Sequence, residues 1–142
     1  VTREEVAAFI AGFEGCRLSK QQWTHQAHLT AGFWYLTQFG QPAALETIRR
    51  NIRRHNESVG TPNTDTGGYH ETITLLYLSG IERHIRAHLG LSFEASLQAL
   101  LESELGSSAW PLQYYSRERL FSLAARRGWV DPDLQPMEPS QT

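Results

Sequence analysis

The sequence predicts an all-α fold, a single compact helical bundle of about five main helices with a short helix near the C-terminus. Three observations predict it. Apolar residues recur three and four positions apart in successive segments, cap and stop residues bracket those segments, and almost no stretch alternates at period two. A chain of 142 residues, 40% apolar and 11% aromatic, suits one core of ordinary domain size.

Thr2 and Glu5 have the form of a capping box, and Val6, Phe9, Ile10 and Phe13 follow at helical spacing up to Gly15. A second helix is expected from Gln21 or Thr24 to Phe39, with Gly40 as its stop and Pro42 opening the third. The third carries Leu45, Ile48, Ile52 and His55 on one side, with Arg49, Arg50, Arg53 and Arg54 around the other, and should end near Glu57.

Small, polar and turn-forming residues fill Val59 to Gly68, the main loop. A long helix from about Tyr69 to Leu89 is expected next, stopped by Gly90. Ser92 then caps a helix carrying Leu97, Leu100, Leu101 and Leu105. Ser116 caps a short helix with Leu120 and Phe121. Residues 1–130 are thus expected as the helical domain and 131–142 as a flexible tail, because Pro132, Pro136 and Pro139 break regular structure.

Net charge is −2, which supplies no field for holding nucleic acid or anionic lipid. The four arginines of the third helix lack interleaved exposed aromatics and are read as a solvated face. No run approaches the roughly 18 apolar residues of a membrane span, so no membrane partner is expected. Cys16 is the lone cysteine; no internal disulfide can form, and a cytoplasmic location is expected. The chain starts at Val1, which leaves room for preceding residues in the gene product.

At about 100° per residue, His25, His28, Leu29, Gly32, Leu36 and Phe39 share one stripe of the second helix. The same projection of the fourth aligns His70 with Ile73, Thr74, Tyr77 and Ile81. Up-and-down connection makes these two helices parallel, and the three imidazoles are then expected to converge at one end of the bundle. Histidines three apart plus one from a facing helix suit a divalent transition metal such as zinc, iron, nickel or copper, with an open position for chemistry. Structural burial of the histidines is the competing reading.

Glu71 stands beside His70 as a general base, fourth ligand or orienting acceptor, although a carboxylate in a first helical turn is favoured by the macrodipole in any case. Tyr69 and Tyr77 offer phenols to line the cavity. Asn63, Thr64, Asp65 and Thr66 precede a helix N-terminus, where backbone amides favour an anionic substrate group; an ordinary polar connection is the alternative. Arg117 and Arg119 are candidate clamps for a carboxylate or phosphate, against simple pairing with Glu118. His84 and His88 lie about 20 Å beyond His70 along the helix, too far to share an ion with it.

The segments Trp23-Thr24-His25-Gln26-Ala27-His28-Leu29 and Gly68-Tyr69-His70-Glu71-Thr72-Ile73-Thr74, with Tyr114 to Ser122, resemble an uncharacterised family of small bacterial helical proteins. The resemblance covers most of the chain. It implies that these segments act as one unit, and it implies no reaction. No zinc-protease, phosphate-loop, dinucleotide-binding or nucleophile-elbow pattern is present.

The leading expectation is therefore a small metal-dependent enzyme, hydrolytic or oxygen-dependent, acting on a small-molecule substrate. His25, His28 and His70 hold the ion, Glu71 and Tyr69 are catalytic, and Asn63, Thr64, Thr66, Arg117 and Arg119 bind substrate. One rival is a metal-free small-molecule-binding protein or acid–base enzyme using the same imidazoles in an aromatic pocket with Trp23 and Trp34. Another is an interaction domain with structural histidines that docks a partner or a second copy in a homodimer.

Overall fold

Short polar side chains hold the first amides of the first, second and fifth long helices, while the third starts behind Pro42 without such a cap and the fourth starts at the His70 ring. The computed structural model describes residues 1–137, and of the flexible tail expected over 131–142 the part from 138 on, Pro139 included, lies outside the described residues. Thr2 and Glu5 exchange two 3.1 Å hydrogen bonds as a capping box, and α1 spans Arg3–Glu14. Thr24 accepts the Ala27 amide and starts α2, His25–Phe39, which stops at Gly40. Behind Pro42, α3 covers Ala43–Ser58.

α4 spans Glu71–Ala87 and starts two residues later than expected, because His70 is its cap. Ser92, Ser116 and Ser122 cap α5 (Phe93–Glu102), α6 (Arg117–Leu120) and α7 (Leu123–Arg127). The described residues contain no strand, as the lack of period-two alternation predicts. No helix among them is long and apolar enough to cross a membrane.

α4 lies at the centre, against α2, α3, α5 and α7. Its Leu76, Leu78 and Ile81 are fully buried. Each such side chain contributes about 1.5–3 kcal/mol of hydrophobic stabilisation. Close approach depends on Gly80, where a Cβ would lie 2.7 Å from a Leu105 methyl and 2.9 Å from the Trp110 ring. Buried Thr72 donates its hydroxyl to the Gly128 carbonyl at 2.6 Å and ties the end of α7 to α4.

The other side of the bundle is joined by a polar chain. Asn51 of α3 donates to the Tyr35 hydroxyl of α2 at 3.1 Å, and that hydroxyl donates to Glu14 of α1 at 2.8 Å. Burial without these bonds would be costly, so the chain also sets the register of the three helices. Residues 131–137 run back over the body: the Leu134 amide donates to the Tyr114 carbonyl at 2.9 Å, Asp133 accepts from Ser116, and Met137 is buried.

α2 and α4 are parallel, as up-and-down connection implies. The His25 ring lies 5.0 Å from the Tyr77 ring, and further along Gly32 faces Ile81. His25 turns to the Leu105 carbonyl and the Tyr77 ring, whereas His70 turns to Ile73 and Leu120.

Candidate functional site

The amino end of α2 is shaped by two consecutive caps. Ser19 and Gln22 form a capping box around the 3-10 turn Lys20–Gln22, and Thr24 caps α2 two residues later. Trp23, held between them, stacks on Phe13 with ring centroids 4.4 Å apart and planes 12° from parallel. Its indole also meets His28 at 4.1 Å and His55 of α3 at 5.3 Å. An aromatic cluster from α1, α2 and α3 results.

Each histidine has a distinct set of partners. The Nε2–H of His25 donates to the Leu105 carbonyl at 2.9 Å, and the Nδ1–H of His28 donates to the Thr24 carbonyl at 2.7 Å. His70 has φ −134° and ψ 112°, an extended backbone outside the helix. Its Nδ1 accepts the Ile73 amide at 3.1 Å, and its Nε2–H donates to the Leu120 carbonyl at 2.7 Å. Both nitrogens of His70 are therefore engaged.

These placements correct the expected metal centre. His70 does not share the inward stripe of α4, since helical projection does not apply to a residue in extended conformation, and its ring nitrogens turn to Ile73 and Leu120 while Nε2 of His25 turns to Leu105. Among the described residues no three His, Cys, Asp or Glu side chains are grouped so as to hold a metal ion. The reading of a metal-dependent enzyme built on His25, His28 and His70 is accordingly withdrawn.

Glu71 accepts from Arg49 through both oxygens, at 3.0 and 2.5 Å, and from the Tyr69 hydroxyl at 2.6 Å. Arg49 thus leaves the solvated face of α3 to pair with the start of α4. Burial, together with the hydrogen bond to Glu71, pushes the Tyr69 phenol above its ordinary range. Arg53 lies 4.9 Å over the Tyr69 ring, while Arg126 donates to the Gly68 and Tyr69 carbonyls.

The expected substrate lip is an organised loop. Asn63 accepts from Asn56 and from the Tyr69 amide and donates to the Arg53 carbonyl. The Thr64 hydroxyl accepts the Thr66 amide, and Asp65 pairs with Arg127 at 2.7 Å. Gly68 has φ of 79°, and a Cβ there would lie 2.6 Å from the Pro62 carbonyl oxygen. Arg119 donates from Nε to the Asp131 carbonyl, and Arg117 opens α6 on the surface.

Two adjoining cavities lie between α2, α3 and α4. The inner one, about 280 Å³, is walled mainly by Leu29, Gly32, Ile48, Leu78 and Ile81, with His25 and Tyr77 on its rim. The outer one, about 480 Å³, includes Lys20, Trp23, His55, Asn56, Tyr69 and His70. His28, Ile52, Ile73 and Thr74 belong to both walls. Desolvation pushes the His28 imidazole down to about 4, against the opposing pull of its bond to Thr24, and nearby His25 and His55 lower it further.

His55 is the residue whose importance sequence reasoning missed. It is 1% exposed, and neither ring nitrogen has a hydrogen-bond partner among the described residues; the same holds for Trp23 Nε1. Burial lowers its imidazole pKa. The signal was its place on the inward side of α3, three residues beyond Ile52, but nothing local in sequence connects that position with Trp23 and His28.

Comparisons with protein-family models, with curated proteins and with solved structures find no match to this chain.

Proposed function

We propose that this protein binds a small, largely apolar molecule between α2, α3 and α4, without a metal, through an aromatic and histidine-lined site. The observation that carries this reading is the inner cavity. At about 280 Å³ this half-open cleft lies near the lower end of the roughly 300–1,000 Å³ range of small-molecule sites. Its wall combines aliphatic side chains with a few polar groups at one end, the composition typical of small-molecule sites.

The polar set differs from the one expected. His28 and His55 replace the triad of His25, His28 and His70, since His70 is consumed as a helix cap. Binding is tested by following the unfolding temperature and the amide spectrum of the full chain with toluene as the probe. Toluene should raise the unfolding temperature, and Ile52→Phe, which fills the wall shared by both cavities, should abolish that rise while leaving the fold intact. A toluene response unchanged in Ile52→Phe would place binding elsewhere and overturn the reading.

A further inference from the structure

Among the described residues, three buried atoms in the lining of the outer cavity lack hydrogen bonds: the two ring nitrogens of His55, one donor and one acceptor in the neutral imidazole, and the donor Trp23 Nε1–H. Beside them His28, which lines both cavities, has Nε2 as an acceptor because Nδ1 holds the proton given to Thr24. Buried polar groups are costly when unpaired, so such a concentration marks a place where a partner is expected. Neighbouring groups are engaged elsewhere: Tyr69 with Glu71, Asn56 with Asn63, and Thr74 with the His70 carbonyl.

The walls are also short of charge. Among the described residues no Asp, Glu, Lys or Arg lines the inner cavity, and Lys20, an exposed residue, is the one such group at the outer. Burial keeps His28 and His55 neutral near pH 7. A carboxylate or ammonium entering this space would lose its hydration against no buried counter-charge. A carboxylate would also have no proton to give His28 Nε2.

We infer that the ligand is an uncharged small molecule bearing a hydroxyl or carboxamide, its donor and acceptor met by His28, His55 and Trp23 and its apolar part in the inner cavity. This rests on the binding function proposed above and names the ligand class for that site. The polar group accepts from Trp23 Nε1–H and donates to His28 Nε2, while His55 takes either role.

Three probes of similar size separate the possibilities: toluene is apolar, benzamide is uncharged with donor and acceptor, and benzoate is an anion without a donor. Titrations of the ¹⁵N-labelled full chain would follow the Trp23 indole resonance, assigned with Trp23→Phe, and the ring nitrogens of His28 and His55. Benzamide should bind about 10-fold more tightly than toluene or benzoate and shift all three signals. His55→Leu should reduce benzamide to the affinity of toluene, while His55→Gln, which keeps a donor and an acceptor, should retain the preference.

Benzoate binding as well as benzamide, or benzamide affinity unaffected by both His55→Leu and Trp23→Phe, would overturn the ligand class. Toluene binding would then still support the apolar cavity as a binding site. Failure of all three probes to bind would overturn both.

Discussion

The imidazole of His70 donates through Nε2 to the carbonyl of Leu120 at 2.7 Å, across fifty positions of sequence, while its Nδ1 caps α4 at Ile73. One neutral ring thus fastens α6 to the start of the central helix.

Removing that ring should cost stability in two parts. His70→Ala loses the cap and leaves the Leu120 carbonyl unpaired, about 2–4 kcal/mol together. His70→Asn can restore the cap and should recover about 1 kcal/mol of that. Denaturant unfolding measures both; equal losses in the two variants would mean that the cap contributes nothing.

Glu71 and Arg49 are predicted to act as one unit. The Glu71 side chain is 14% exposed and the Arg49 side chain 35%, and Glu71 also accepts from Tyr69. A double-mutant cycle with Glu71→Gln and Arg49→Met should give a coupling of about 1–2 kcal/mol. Additive single losses would show that the pair is no more than a solvated contact.

Acid should weaken the fold before the carboxylates titrate. Burial lowers the pKa of His28, His55, His70 and His84 below the ordinary 6.5, so the unfolded chain takes up protons first as pH falls. Stability from this source is complete above about pH 6.5 and is lost on descent, for His28 down to about pH 4. His28 alone should account for about 2 kcal/mol between pH 7 and pH 5. Unfolding curves of the native chain and of His28→Leu across that range would show the difference; identical slopes would contradict it.

Gly80→Ala should destabilise although alanine is the better helix former. The added methyl meets Leu105 and Trp110 at 2.7 and 2.9 Å. Displacing them should cost about 1–3 kcal/mol, against roughly 1 kcal/mol gained in helix propensity. A rise in unfolding temperature would show that the contact relaxes freely.

Helix positions and caps were legible because they depend on neighbours within four residues. Thr2 with Glu5, Thr24, Gly40, Ser92 and Ser116 each act where the sequence indicates. The inward facing of His25 and His28 follows from the same short-range geometry. His70 marks the limit: the choice between a first-turn residue and a cap turned on its ring reaching Ile73 and Leu120 together, and no periodicity conveys that.

The amino-acid sequence by itself determined an all-helical chain and the order of its helices, since these follow from local hydrogen bonding and the 3.6-residue repeat. It conveyed the inward sides only in part: Phe39 of the expected α2 stripe is exposed, and Thr72 and Ser79, outside the expected α4 stripe, are buried. Only the tertiary structure decided the partners of His25 and His70, the pairing of Arg49 with Glu71 and the meeting of Trp23, His28 and His55. Those depend on how whole side-chain surfaces pack, which no pattern within one helix records: His70 turns to Leu120, His25 to Leu105, and His55 meets Trp23 from another helix.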